Sequence, residues 1–422
     1  METLRITGIG SQLQGVGRLR DGRAAFVPFS IPGELVEVEI ERDRGRYVEA
    51  RLRAVLEPSP ERVVPDCPAF GVCGGCQARH MRYAHTLLLK RQRVVDALER
   101  IGGFSQPPVL DALPMPEPLR CRNKAEYAVR EGRIGFLRAG SRQLVPVEDC
   151  LLQAPESARA LRRIPSVCLR GLEGVVTRVN REGQVMLTLC GKGPSAPVAA
   201  IEGVDSVYYC RLRPRPAHAL DGDCRLLSGR ERLDESLLGL RFALHPQSFF
   251  QVNAAQAERM YAAALDGLKL AGDESALDVY CGAGTITLSL AQRCAHATGV
   301  ELVAPAIRDA NANAQRNGLA SRARFLLADA AEAVPRLIAE GSRFDVAVLD
   351  PPRRGADARV LDALAQAAPR RIAYISCDPG TLARDLRLLC AKGYALQSAL
   401  PVDMFPYTGH VESVALLRRG TS

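Results

Sequence analysis

From about residue 249 the sequence settles into a rhythm that narrows the folds open to it: a short aliphatic run, an acidic residue, a turn, then a helical pattern, repeated. The runs "ALDVYCGAG", "HATGVE", "ARFLLADA" and "RFDVAVLDPPRRG" place Asp278, Glu301, Asp329 and Asp350 at strand ends. Strand–helix alternation of this kind builds a parallel sheet with crossover helices, and such sheets bind ligands beyond the carboxyl ends of their strands. One acid at a strand end is ordinarily a turn former; four in succession at the same end of one sheet point to a ligand. Gly282 and Gly284 in the first turn let backbone approach that ligand closely, and the helix N-terminus behind them favours negative charge. A dinucleotide fingerprint needs a third glycine where Thr287 stands, which argues against a nicotinamide cofactor. Glu301 lies about 20 residues further on, the distance at which an acid meets a ribose diol.

This series resembles the S-adenosylmethionine-dependent methyltransferase fold, which implies a Rossmann-like α/β domain and a cofactor whose diol meets Glu301 and whose adenine amino group meets Asp329. The motif "LDPPRRG" is similar to the Asp/Asn-Pro-Pro-aromatic motif of enzymes that methylate exocyclic amines, but Arg353 stands where the aromatic would stack on the base, so amine methylation is disfavoured. In "YISCDPGTLARD", Cys377 ends a run of strand formers, Arg371 to Ile375. Uracil C5 is a poor nucleophile until something adds at C6, and a thiolate can make that addition. The C5 hydrogen must then be removed by a general base before the thiol leaves. "MFPYTGHVESVALLRR" supplies Glu412 and His410 ahead of a final apolar strand.

Together and in this order, "DVYCGAGT", "LDPPRRG", "YISCDPGTLARD" and "MFPYTGHVESVALL" resemble the RNA uracil-C5 methyltransferase family. The resemblance implies that Cys377 is the nucleophile and Glu412 the base. It also implies that Gln251 of "FFQVN", Tyr280, Thr285, Glu301, Asp329 and Asp350 are cofactor-side and active-site contacts. Tyr280 stands where relatives often carry Phe. His410 either shares the base role or is an orienting or merely structural residue.

Residues 1–56 alternate apolar and polar positions between Gly and Asp-Gly turns, which predicts a small β-barrel. Within it "FSIPGELVEVEI" resembles the TRAM domain, an OB-like barrel of RNA-modifying enzymes. Residues 60–248 read as a central, strand-rich, hairpin-like domain with Arg-Glu-Gly turns, and its helix near 83–102 is free to pack on the catalytic domain, 249–422. Cys67, Cys73 and Cys76 form C-x5-C-x2-C, with Cys150 as candidate fourth ligand. Thirteen cysteines, an odd number, do not suggest a disulfide framework. Four thiolates suit Zn²⁺ or an iron–sulfur cluster, and spacing does not separate them. Resemblance to family members with a TRAM domain implies a [4Fe-4S] cluster with a structural or RNA-positioning role. Radical enzymes of the same cofactor typically show C-x3-C-x2-C instead. The other cysteines, Cys281 among them, read as buried or incidental.

With 47% hydrophobic and 24% charged residues the chain reads as an ordinary globular protein. The absence of a long apolar run and of an apolar core after Met-Glu-Thr-Leu-Arg predicts a cytoplasmic protein with no membrane partner. A net charge of +9 points to an acidic partner, nucleic acid above all. The expectation is therefore a monomeric enzyme that methylates C5 of one uridine in folded RNA. Barrel and cluster together resemble the 23S ribosomal RNA branch of the family, with tRNA as the second substrate. From a different class stands a non-catalytic RNA-binding iron–sulfur protein with a decayed methyltransferase fold, against which the intact Cys377, Glu412 and strand-end acids argue.

Overall fold

The computed structural model describes residues 1–420. Strands Glu2–Ile9, Gly15–Arg18, Ala24–Val27, Leu35–Asp43 and Tyr47–Glu57 close into a barrel. The period-two pattern sends Leu4, Ile6, Val36, Val38, Val48 and Ala50 into its core. A separate apolar patch, Leu13 and Ile31, rests on Ala78, Met81 and Leu89, so the barrel is seated on the cysteine-rich segment and on the helix Tyr83–Arg100. That helix buries Thr86, Lys90 and Val94 at four-residue spacing and Leu98 one turn on; Val94 and Leu98 enter the core of the catalytic sheet.

The central region is a seven-stranded sheet. Arg-Glu-Gly does make the tight turn between Lys124–Arg130 and Arg133–Leu137. The sheet is nevertheless not a plain run of hairpins, because Val185–Gly191 and Ser206–Leu212 pair in parallel. Asn123 and Arg178 tie this sheet to the segment that follows it: Asn123 donates from its backbone N to Val252 O at 2.7 Å, and Arg178 donates to Ser248 O at 2.7 Å.

The catalytic sheet runs, in spatial order, Ala323–Leu327, His296–Glu301, Ser275–Val279, Val346–Leu349, Arg371–Ser376, Glu412–Arg419, Tyr394–Val402. The first five strands are parallel, as the alternation predicts. The last strand of the chain inserts antiparallel between Arg371–Ser376 and Tyr394–Val402. Strand order reverses between Ser275–Val279 and Val346–Leu349, and a crevice opens at that switch point. The buried aliphatic residues of the strands feed two cores, one on each face. The core on the face of Ala254–Gly267 also takes in Leu237, Leu240, Phe242 and Leu244 of a preceding hairpin. No helix among the described residues is long and apolar enough to cross a membrane.

Candidate active site

Strand register assembles the site. Ser376 pairs with Ser413 on the antiparallel neighbour, and Leu349 pairs with Tyr374 on the parallel one. Cys377, Glu412 and Asp350 therefore emerge at one end of three adjacent strands. All three line one cavity of about 1260 Å³, together with Gln251, Tyr280, Thr285, Glu301 and Asp329. A single small-molecule site takes roughly 300–1,000 Å³, so this cavity is larger than one such ligand needs.

The cofactor side is built on backbone geometry. Gly284 caps the helix Thr285–Ala291 in the left-handed region at φ 86°, and a Cβ there would lie 2.9 Å from the Phe325 ring. Only glycine fits on both counts. Tyr280 holds φ 71°, an uncommon conformation for a non-glycine residue. Glu301 accepts from Gly282 N at 3.1 Å and Val303 N at 2.9 Å, which fixes its carboxylate at the lip of the loop. Asp329 lines the cavity and also caps the next helix, accepting from Ala331 N at 2.8 Å. Asp278, the first of the four strand-end acids, is different. It is wholly buried, accepts from Thr287 Oγ1 at 2.6 Å, leaves Oδ1 unpartnered and does not line the cavity. Burial pushes its pKa up to about 7.

The reaction side carries perturbed groups. Burial, then the Asp350 charge, pushes Glu412 up to about 8, against the pull of Arg353 and Lys90. Burial alone takes Asp350 to about 6. Burial and the Glu412 charge push Cys377 up to about 11, opposed by Arg353. Cys377 is therefore a thiol at rest, and Arg353, which the sequence offered only as a missing aromatic, is a cation that lines the same cavity and draws both groups towards their charged forms. His410 does not line the cavity; its ring packs edge-on against Phe405 at 5.8 Å. Burial and then Arg353, Lys90, Arg93 and Arg122 hold its pKa below the ordinary histidine value.

Tyr261 was not legible as a site residue. It lines the cavity, and its hydroxyl accepts from Gln251 Nε2 at 3.3 Å. In "AAQAERMYAAAL" it occupies an apolar helical position like any core residue, so no local signal marked it.

The cysteine segment adjoins the site without joining it. Cys73 pairs with Arg138 in an isolated antiparallel backbone β-bridge, which brings its loop to the central sheet, and Arg120 holds the facing loop by donating to Cys150 O at 3.0 Å. Burial raises the Cys73 thiol, as do Cys150 and Cys67 nearby. Burial pushes Cys76 up to about 12, opposed chiefly by Arg122. Yet no three His, Cys, Asp or Glu side chains among the described residues gather closely enough to hold a metal ion. The four-thiolate centre expected of Cys67, Cys73, Cys76 and Cys150 is thus not shown by the side-chain placement, and none of the four is in a disulfide.

Residues 230–420 match the family model described as tRNA (Uracil-5-)-methyltransferase, and residues 2–52 match that of the TRAM domain. An uncharacterized RNA methyltransferase of Halalkalibacterium halodurans is 38% identical over 431 residues, spanning 96% of this chain and 93% of the relative. Another, from Caldanaerobacter subterraneus subsp. tengcongensis, is also 38% identical and spans 98% of this chain and 97% of the relative. The crystal structure of Pyrococcus abyssi tRNA (uracil-54, C5)-methyltransferase with S-adenosyl-L-homocysteine superposes with a TM-score of 0.82 at 29% identity, covering 99% of both chains. The chain belongs to the RNA uracil-5-methyltransferase family, and is an S-adenosylmethionine-dependent enzyme that methylates C5 of uracil in RNA and carries an N-terminal TRAM domain.

Proposed function

We propose that the enzyme methylates one uridine of 23S ribosomal RNA through a covalent bond between Cys377 and C6 of uracil, with Glu412 as the base that resolves the adduct. The observation that carries this reading is the presence of Cys377, Asp350 and Glu412 in one cavity with the glycine loop and Glu301. Gln251, Tyr280, Thr285, Glu301 and Asp329 suit the cofactor: carboxylates for a diol and an amino group, beside a loop that backbone approaches closely. S-adenosylmethionine supplies an electrophilic methyl group on a positively charged sulfur.

Cys377 first gives up its S–H proton to water, helped by Arg353, as the S–C6 bond forms. The electron pair displaced to C5 makes the new bond to the methyl carbon, while the methyl–sulfur bond would break with its electron pair left on sulfur as a neutral thioether. C5 then carries both methyl and hydrogen. The Glu412 carboxylate takes that hydrogen as a proton, the C5=C6 double bond returns, and the C6–S bond breaks to leave a thiolate. A carboxyl with a pKa near the working pH is well placed for this step. The greater proton affinity of Cys377 draws the proton back from Glu412 and resets the site. His410, which lies outside the cavity, is assigned an orienting role.

The ribosomal reading is supported by the resemblance of barrel plus cysteine segment to the 23S ribosomal RNA branch of the family. A tRNA substrate is the second reading, favoured by the action of the Pyrococcus abyssi enzyme on tRNA. Labelled methyl transfer to separated ribosomal and transfer RNA decides between them. A Glu412→Gln protein is expected to accumulate methylated RNA bonded through Cys377, seen as a slow band on a denaturing gel and absent when Cys377→Ala is added. Methylation by the Cys377→Ala protein would overturn the covalent mechanism. We infer further that Cys67, Cys73, Cys76 and Cys150 hold a [4Fe-4S] cluster. The reading is supported by Cys67 and Cys150 standing near enough to help raise the Cys73 thiol, by Cys150 doing the same at Cys76, and by Arg79 and Arg122, which would offset thiolate charge. Anaerobic protein should contain close to four irons per chain by the stoichiometry of such a cluster; one zinc and no iron would refute it.

A further inference from the structure

The loop 403–411, which delivers Glu412 to the cavity, is held from outside by three other parts of the chain. The helix Tyr83–Arg100 grips it through Lys90, which donates to Asp403 and, at 2.9 Å, to Phe405 O, and through Arg93, which donates to Gly409 O. The barrel abuts it at Gly409, where an added Cβ would lie 2.8 Å from Gln12 Cα. The cysteine segment bonds to it directly. Gln77 N and Ala78 N both donate to Tyr407 O, at 2.9 and 3.0 Å, and the Arg79 guanidinium lies 4.6 Å from the centre of the Tyr407 ring. The Gln77 side chain spans the two loops: its Oε1 accepts from Gly409 N at 3.3 Å while its Nε2 donates to Gly74 O at 3.1 Å. Tyr407 holds φ 60°, a conformation that its surroundings must impose.

We propose that Gln77 is a positioning residue for Glu412, bracing the loop 403–411 against the cysteine segment so that the carboxylate meets the C5 hydrogen. The cysteine segment then serves the chemistry. The inference rests on the covalent mechanism proposed above, in which Cys377 adds and Glu412 resolves. Cys377 follows a different strand, so loosening this loop should leave addition intact and slow resolution.

The test uses full-length Gln77→Leu protein, which keeps the backbone bonds to Tyr407 and removes both side-chain bonds. In single-turnover experiments the RNA adduct should form at the wild-type rate and decay about tenfold more slowly, within the ~100-fold that a misplacement near 1 Å can cost. Affinity for S-adenosylhomocysteine should not change. Gln77→Glu keeps an acceptor for Gly409 N and should recover most of the decay rate. Adduct decay at the wild-type rate in Gln77→Leu, while Glu412→Gln traps the adduct, would refute the brace and leave the mechanism standing. Absence of an adduct in Glu412→Gln as well would refute the mechanism itself. Should Gln77→Leu fail to fold, amide exchange in the wild-type protein still decides: residues 77–78 and 409 should open together, and exchange at 409 far faster than at 77–78 overturns the proposal.

Discussion

Replacing Glu412 by Gln should stabilise the free enzyme, and do so only above acidic pH. In the unfolded chain the carboxyl has the ordinary value of 4.5, whereas burial and Asp350 raise it to about 8 in the folded protein. A raised carboxyl pKa costs nothing below pH 4.5, where both states are protonated. As pH rises from there, the unfolded state ionises and gains solvation that the folded state forgoes until about pH 8, so stability falls across that window and is level beyond it. Each pH unit inside the window is worth about 1.4 kcal/mol, which makes the full cost at pH 7 about 3 kcal/mol. Glutamine is neutral and similar in shape, so Glu412→Gln should recover an amount of that order at pH 7 and almost none at pH 4.5. Denaturant unfolding of both proteins, followed by a probe in the catalytic domain at pH 4.5, 6 and 8, measures the difference. A variant less stable than wild type at pH 8, or a difference that does not change with pH, would refute the electrostatic reasoning. The same ionisation governs chemistry: resolution of the adduct should speed up with pH as Glu412 becomes a carboxylate.

Lys90 and Asp403 are both fully buried and paired, so Lys90→Met alone should cost about 3–5 kcal/mol by stranding a carboxylate, while Lys90→Met with Asp403→Leu should regain most of it in thermal unfolding. Gly284→Ala should weaken S-adenosylhomocysteine binding by calorimetry, because φ 86° and the Phe325 ring 2.9 Å away both oppose a side chain; the strain is about 1–3 kcal/mol. Wild-type affinity there would refute the role given to the loop. Arg20 and Arg46 are exposed on the barrel, and replacing both by Ala should weaken RNA binding and flatten the salt dependence of log K by up to about 2. Point changes are the right probe, since removing residues 1–56 would strip the support from Leu89 and Gly409.

What the sequence determined by itself was local in its physics. Period-two alternation specified the barrel, because side chains on a strand alternate faces whatever lies beyond them. Strand-then-helix rhythm specified the five parallel strands, and Gly284 announced a backbone conformation that other residues resist. Motif resemblance brought Gln251, Tyr280, Thr285, Glu301, Asp329, Asp350, Cys377 and Glu412 to notice, and all eight line one cavity. Only tertiary structure decided the rest. The parallel pairing of Val185–Gly191 with Ser206–Leu212 depends on where a connecting segment crosses, which alternation does not encode. Asp278 shared the strand-end pattern of the other acids yet turned inward to Thr287, since which acids reach a cavity depends on how deep each strand end sits. Tyr261 read as helix core because a phenol on an apolar face looks the same whether it meets packing or a glutamine. Arg353 became a countercharge, and the cysteine segment a brace for the loop before Glu412, through contacts between residues far apart in the chain. Such contacts are fixed by the insertion of the last strand between two others, and that register is set by burial on both faces of the sheet, a cooperative property of the whole fold.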